Sequence, residues 1–168
     1  CPETMTSPDT NSEGLPASSA DAVLKNRQTV ASYEQCARDY ARSTAPQAGS
    51  DDRKALRRFL EALEPGSHVL EVGSGPGWDA DFLEEHGAIV RRTDITASFI
   101  AFQQERGKSV ERLDLIADEL GGPYDGILAR YVLQHIDRSL IEGILRKIAD
   151  SLRLGGVFLA SLREGEGE

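Results

Sequence analysis

The sequence predicts an α/β fold, a three-layer α/β/α sandwich built on a mostly parallel sheet. The first reason is length, because 168 residues suffice for one domain with a substantial core. The second is alternation, since short apolar segments rich in branched residues alternate with helical segments, as in parallel sheets. The third is a cluster of glycines at residues 73–77, directly after an apolar run, which indicates a strand, a tight loop and a helix.

The predicted elements follow one another in regular order along the chain. Two N-terminal helices are predicted, at residues 20–43 and 51–63. Five strands are predicted after them, at residues 68–72, 88–93, 109–113, 124–129 and 157–162. The helices between these strands are predicted at residues 78–86, 98–106 and 138–152, and Gly155-Gly156 is expected to end the last of them.

Composition excludes several classes of protein. The formal net charge of -9 leaves no broad positive surface, so no nucleic-acid partner is expected. No apolar run approaches the roughly 20 residues of a membrane span, and the polar N-terminus predicts no signal peptide. Cys1 and Cys36 have no metal-ligand spacing and form no disulfide framework. No metal and no membrane association are therefore expected, and a reducing, cytoplasmic location is predicted.

The glycine loop narrows the choice of ligand. Gly73 and Gly75 fit the first two positions of the dinucleotide fingerprint G-x-G-x-x-G, but Trp78 stands at the third. A P-loop would need a lysine after the glycines, and none follows. Glycines this closely spaced cost chain entropy, so they favour a ligand close to the backbone over a plain strand–turn–helix.

The segment at residues 68–77, HVLEVGSGPG, resembles motif I of the class I S-adenosylmethionine (SAM)-dependent methyltransferases. That motif is an apolar strand, an acidic residue and G-x-G-x-G, and Glu71, Gly73, Gly75 and Gly77 match it one by one. The resemblance covers most of residues 29–165. It implies a Rossmann-like core over residues 65–168 that binds SAM, releases S-adenosylhomocysteine, and borders the cofactor with these four residues and Ser74.

Acidic residues after the next two predicted strands extend the candidate site. Asp94 lies about twenty residues after Gly75, where an acid hydrogen-bonds the ribose hydroxyls in both methyltransferase and dinucleotide folds. The resemblance implies that Ile95 packs on the adenine, that Asp114 accepts from the adenine amino group and that Leu115 packs on the ring. Asp114 has an alternative role as the N-cap of a short helix at residues 115–120.

The region before the first strand is predicted to form a tail and a helical lid. Residues 1–19 are polar and are predicted to be disordered, and residues 20–64 are predicted to form the lid. Tyr33 and Tyr40, in YEQCARDYA, resemble the Y-x-x-x-A-x-x-Y segment of many small-molecule methyltransferases. The resemblance implies that Tyr33 covers the sulfonium and that Tyr40 contacts the SAM carboxylate. Simple packing of both rings on the core is the alternative.

Residues 130–137, RYVLQHID, are expected at the mouth of the site, because ligands bind at the C-terminal ends of parallel strands. They lack the N/D-P-P-Y/F motif of adenine methyltransferases and resemble the apolar-x-H pattern of small-molecule ones, at Leu133 and His135. Arg130 is expected to offer its backbone to the SAM amino group or its side chain to an acidic acceptor, and Tyr131 to line the substrate pocket. His135 is the candidate general base, and a packing role is its alternative.

The predicted sheet ends at its fifth strand, whereas the class I family has seven strands, with a final antiparallel hairpin. The fifth strand is therefore predicted to be a bare apolar edge, which soluble proteins avoid. We expect a fragment completed by a second chain or segment that supplies the missing strands; a homodimer paired edge to edge is the alternative.

The sequence thus predicts a SAM-dependent methyltransferase acting on an O or N atom of a small-molecule acceptor, such as a natural product. Two other functions stay open. The missing strands suggest a non-catalytic, methyltransferase-like subunit that binds SAM or serves as a scaffold. An NAD-linked oxidoreductase shares the predicted fold but is disfavoured by Trp78 in the place of a glycine.

Overall fold

The computed structural model describes residues 19–45 and 50–163. Five parallel strands form one sheet of order β3-β2-β1-β4-β5, which confirms the predicted fold class. The strands are β1 (His68–Val72), β2 (Ile89–Asp94), β3 (Val110–Arg112), β4 (Tyr124–Arg130) and β5 (Leu152–Ser161). The helices are α1 (Ser19–Ser43), α2 (Asp51–Glu61), α3 (Trp78–Glu85), α4 (Ala97–Glu105) and α5 (Arg138–Ser151), with a 3-10 turn at Leu133–His135.

Two apolar cores lie on opposite faces of the sheet. Side chains alternate across a strand, so Val69 and Leu128 point to one face while Leu70 and Ile127 point to the other. The first face packs against apolar residues of α2 and α3, and the second against α5 and the 3-10 turn. Because both faces are covered, the central strands β1 and β4 are almost continuously apolar, which is the pattern that the sequence showed.

The prediction of a short helix at residues 115–120 is wrong. A single turn forms there instead, in which the Asp118 amide donates to the Asp114 carbonyl at 2.8 Å. The Lys147 ammonium of α5 donates to the carbonyls of Leu115, Ile116 and Asp118 at 2.8–3.2 Å. These carbonyls are satisfied from another element, so the segment needs no helical hydrogen bonds.

The junction of α5 and β5 also differs from the prediction. The helix ends at Ser151, and Leu152 is already extended and paired with Tyr124 of β4. Gly155-Gly156, which was expected to end the helix, lies inside β5. The pairing with β4 is irregular there, because Tyr124 pairs with Leu152 but Gly126, two residues on, pairs with Val157. Gly155 has a φ of +78° there, so its role is to let the strand bulge rather than to end the helix.

Three further predictions concern the margins of the fold. Residues 1–18 of the predicted tail and residues 46–49 of the predicted interhelical loop lie outside the described residues, and Ser19 already belongs to α1. Within residues 19–45 and 50–163, no helix is long and apolar enough to cross a membrane. In the same part of the chain β5 is an edge strand; Leu154 within it is 103% exposed, and Leu162 directly after it is 60% exposed.

Candidate functional site

An open cavity lies at the C-terminal ends of β1, β2 and β4, beneath α1. Most of the residues predicted for the site line it; they are Tyr33, Tyr40, Gly73, Gly75, Asp94, Ile95, Asp114, Leu115, Arg130, Tyr131 and His135. A second cavity adjoins it on the side of α2 and α3, and Ser74 lines that one. Glu71 and Gly77 line neither cavity, so they lie behind the loop rather than facing a ligand.

The three glycines of the loop are needed for different reasons. All three have positive φ angles, which disfavour any residue with a Cβ. A Cβ at Gly73 would clash with the Val132 side chain, and a Cβ at Gly77 would clash with the Gln103 amide. A Cβ at Gly75 would meet no protein atom within 4 Å. The sequence could not separate these roles, and only Gly75 leaves room for a ligand beside its backbone.

Gln103 holds the loop in place, and sequence reasoning missed it. This α4 side chain is fully buried, and its amide N–H donates to the Ser74 hydroxyl at 2.9 Å and to the Gly75 carbonyl at 2.8 Å. Its carbonyl accepts from Arg92 of β2 at 2.9 Å. A glutamine within a helical pattern gives no signal of this role, because its partners are up to 29 residues away.

Arg92 is the centre of a buried ion-pair network behind the loop. Its side chain is 2% exposed and donates to Asp81 at 2.7 Å and to Glu84 at 2.6 Å. Arg106 and Lys108 complete the neutralisation of these acids. Buried charges of this kind are tolerated only when paired, so the network ties α3 to β2 and fixes the helix that follows the loop.

Asp94 lies at the end of β2 with both carboxylate oxygens directed at backbone amides. The Gly75 N–H donates to it at 2.7 Å and the Thr96 N–H at 2.8 Å. Burial raises the pKa of Asp94, and these hydrogen bonds oppose the rise by favouring the charged form. The carboxylate therefore connects the glycine loop to the segment that begins α4, on the wall of the cavity.

Asp114 and two apolar side chains form the wall next to β3. One Asp114 oxygen accepts from the Ile116 amide at 2.9 Å, and no helix follows that it could cap. Ile95, Leu115 and Ile116 line the same part of the cavity. This part of the lining thus combines apolar side chains with one carboxylate, which can accept hydrogen bonds.

Glu71 is buried directly behind the loop. It is 3% exposed, and one of its carboxylate oxygens has no hydrogen-bond partner. Burial, followed by the charge of Asp79, raises the pKa of Glu71 to about 8. Glu71 therefore holds a proton near neutral pH in the folded chain, which the sequence did not indicate.

Tyrosines of α1 close the cavity from above. The Tyr33 hydroxyl lies 3.1 Å from His135 Nε2, and its ring stands edge-on to those of Tyr40 and His135. Both tyrosine rings also contact Phe99 of α4. Burial raises the pKa of both tyrosines, and it lowers the pKa of His135 together with the nearby charge of Arg163. The phenols are therefore neutral donors, and the imidazole is neutral near pH 7.

Arg130 was expected to offer either its backbone to the SAM amino group or its side chain to an acidic acceptor. In the structure that side chain is already paired with carboxylates of the protein. The guanidinium is buried and ion-paired with Asp52 of α2 and, at 3.0 Å, with Asp79 of α3. Asp52 also accepts from the Tyr131 hydroxyl at 2.7 Å. Tyr131 has a φ of 58°, a strained conformation for a residue with a side chain, held here by that contact.

No group of three or more metal-ligating side chains occurs among the described residues.

Comparisons with known proteins agree with this geometry. Residues 41–165 match the family model described as a methyltransferase domain. No sequence among the curated proteins matches the chain. The structure is similar to that of an S-adenosylmethionine dependent methyltransferase from Mesorhizobium loti, at 25% identity and a TM-score of 0.61, over 69% of this chain and 55% of that one.

Two further similar structures show the range of this fold. One is the 1,6-didemethyltoxoflavin-N1-methyltransferase of Burkholderia thailandensis, with bound 1,6-didemethyltoxoflavin and S-adenosylhomocysteine, at 23% identity and a TM-score of 0.69, over 94% of this chain and 69% of that one. The other is the [4+2]-cyclase SpnF, at 20% identity and a TM-score of 0.65, over 85% of this chain and 63% of that one. The chain thus spans between about half and two thirds of these three proteins.

Proposed function

The chain belongs to the methyltransferase domain family, and from that premise we propose that it transfers a methyl group to an O or N atom of a small molecule. Its cofactor is S-adenosylmethionine. The observation that carries the proposal is the hydrogen bond from the Gly75 amide to the Asp94 carboxylate, in the lining of a cavity that also contains Tyr33 and Tyr40. A buried carboxylate beside an open glycine backbone is what a nucleoside with two ribose hydroxyls requires.

We propose one orientation for SAM in the cavity. We assign the ribose to Asp94, and the adenine to the apolar wall of Ile95 and Leu115 with Asp114 at its edge. The amino-acid end then lies along the glycine loop toward Tyr40, where the two cavities meet. Bound SAM supplies an electrophilic methyl group on a sulfonium, and the Tyr33 ring would face that positive charge.

His135 is the proposed general base. It lines the cavity, and its lowered pKa keeps the imidazole neutral and able to accept a proton near pH 7. Its Nε2 now lies 3.1 Å from the Tyr33 hydroxyl, so a base and a donor already face each other at the mouth. An acceptor hydroxyl that entered between them would find both a proton acceptor and a hydrogen-bond donor.

We propose that the methyl acceptor is a small molecule of the natural-product class. The site supports this because α1 lies over the cavity, with Tyr33 and Tyr40 among its lining residues. The bound heterocycle of the Burkholderia thailandensis relative supports it as well. We propose that Tyr131, strained at the end of β4, lines the pocket for this acceptor.

Calorimetric titration of the chain with SAM, S-adenosylhomocysteine and NAD tests the proposal. Saturable binding of the first two, without NAD, is the expected result. His135→Ala should then keep the affinity for SAM and lose turnover with any acceptor found by screening. Binding of NAD alone would refute the proposal.

A non-catalytic subunit is the second candidate function. The apolar β5 edge, with Leu154 and Leu162 exposed beside it, supports a second polypeptide segment that adds a strand there. SAM binding without turnover until such a partner is added would favour this function, and a homodimer in sedimentation would favour pairing of two copies.

A further inference from the structure

The N-terminus of α4 is capped by a side chain from α1. The Glu34 carboxylate accepts from the backbone amides of Ala97 at 2.6 Å and Ser98 at 2.8 Å, and from the Ser98 hydroxyl at 2.5 Å. Thr96, the residue in the N-cap position of α4, makes no side-chain capping bond. Glu34 therefore takes over the role of N-cap across 63 residues of chain, at the helix end that favours a negative charge.

The charge state of Glu34 agrees with this contact. Burial by itself would raise the pKa of the carboxyl, but the hydrogen bonds from Ser98 and Ala97 outweigh it and lower the pKa. The carboxylate is thus ionised near neutral pH and keeps all of its acceptor capacity.

The place of the contact connects the lid to the floor of the cavity. Glu34 follows Tyr33, whose hydroxyl meets His135 across the mouth. The amides that it binds, those of Ala97 and Ser98, follow Asp94, Ile95 and Thr96, which line the cavity. One carboxylate thus attaches α1, next to Tyr33, to the start of α4.

Apart from the single hydrogen bond of Tyr33 with His135 at the mouth, two other polar contacts among the described residues join α1 to the core, and both are weaker than that of Glu34. Arg38 pairs with Glu105 at the far end of α4, but these side chains are 66% and 55% exposed, and such surface pairs contribute little. The Trp78 indole N–H donates to the Ala41 carbonyl at 3.3 Å, which is a long hydrogen bond. Glu34 therefore carries the strongest polar attachment of the lid among those seen in the described part of the chain.

We propose that Glu34 is a positioning residue that holds α1 closed over the bound cofactor and thereby slows its release. The inference rests on the proposed function for the identity of the ligand, but the closing of α1 can be measured without any ligand. Glu34 touches neither cavity, so its loss should act on the lid and not on the reacting atoms.

Release of S-adenosylhomocysteine from the full chain is the first measurement, by stopped-flow displacement. Glu34→Ala should raise the dissociation rate constant about tenfold, the size expected for loss of a helix N-cap. Glu34→Gln keeps one acceptor oxygen and should give an intermediate rate. Glu105→Gln is the matched control, because it breaks the exposed contact between the same two helices, and it should change the rate by less than about twofold.

Quenching of Trp78 fluorescence by acrylamide is the second measurement, on the protein without ligand. Trp78 is the one tryptophan of the chain, and its indole contacts α1, so its exposure reports whether the lid is docked. Quenching should rise in Glu34→Ala and stay at the wild-type level in Glu105→Gln. If Glu34→Ala does not fold by circular dichroism, Glu34→Gln and Ser98→Ala, which removes only the hydroxyl donor, take its place with smaller increases expected.

The outcomes separate the two proposals. Wild-type release and wild-type quenching in folded Glu34 variants would overturn the positioning role. Failure of the wild-type chain to bind S-adenosylhomocysteine would contradict the proposed function, while the quenching comparison would still decide whether Glu34 holds the lid.

Discussion

Replacing Glu71 by glutamine should remove much of the pH dependence of stability between about pH 5 and pH 8. Burial and the neighbouring Asp79 raise the pKa of Glu71 from 4.5 to about 8 in the folded chain. In the unfolded chain the same carboxyl ionises near its ordinary value, so between the two values only the folded chain holds the proton. The stabilisation is therefore complete below the unfolded pKa and is lost as the pH rises toward the folded one.

The magnitude follows from one bound proton. A single group in this state lowers the free energy of unfolding by about 1.4 kcal/mol for each pH unit within the window. Between about pH 5 and pH 7 the wild-type chain should lose about 3 kcal/mol through Glu71. Glutamine has nearly the same size and cannot ionise, so Glu71→Gln should not show this loss. Burial raises the pKa of Asp79 and of Asp94 in the same direction, but both carboxyls are present in the two proteins, so most of their pH dependence is shared.

Urea unfolding followed by circular dichroism, at several pH values across this window, measures the difference. Glu142→Gln is a suitable control, because this exposed carboxyl of α5 makes the same chemical change at the surface. Its pH profile should parallel that of the wild-type chain. If the profile of Glu71→Gln is parallel as well, Glu71 is ionised in the folded chain and the argument from its burial is refuted.

Three other substitutions test the floor of the cavity and its support. Asp94→Ala should weaken SAM binding by about 1–3 kcal/mol in calorimetry, the cost of a lost charged hydrogen bond, and unchanged affinity would exclude the ribose role. Gly75→Val should abolish SAM binding, because the valine side chain would project into the cavity. Gly66→Val is the control: Gly66 also has a positive φ, +82°, and no atom near its Cβ position, but it lies away from the cavity, so this variant should still bind SAM. Arg92→Met should lower the free energy of unfolding by about 2 kcal/mol in urea, because it removes the charged hydrogen bonds of a buried guanidinium and leaves the partly buried Asp81 and Glu84 only their pairs with Arg106 and Lys108. A loss below about 0.5 kcal/mol would contradict the role of that network.

The parts of the fold that the sequence predicted correctly are those with local causes. The strand at residues 68–72 and the helix after it follow from an apolar run, positive-φ glycines and a helical pattern that lie next to one another. The placement of Asp94 at the end of β2 follows from the same repeat of strand, loop and helix. By contrast, residues 115–120 have the composition of a helix but form a turn, because Lys147 satisfies their carbonyls from α5. A contact between such distant segments leaves no trace in local spacing.

The site shows the same division. That loop glycines and strand-end acids line one cavity was predictable, because the C-terminal ends of parallel strands lie at the same edge of the sheet. Their partners were not, because Arg130 meets Asp52 across 78 positions of chain and Glu34 meets Ser98 across 64. Arg130 is the instructive case: an arginine at the mouth of a site looks available to an acidic acceptor until the fold brings two carboxylates to it.

The short helix α4 connects the two halves of the cavity. Its N-terminus is held by Glu34 of the lid, and its buried Gln103 holds the glycine loop through Ser74 and Gly75. Phe99, between these two contacts, packs against the tyrosines that close the cavity. A shift of α4 would therefore move both the lid and the glycine loop, because α4 contacts each of them. This helix contains no predicted ligand-binding residue, yet it contacts both the lid and the glycine loop, so we expect substitutions in it to affect both.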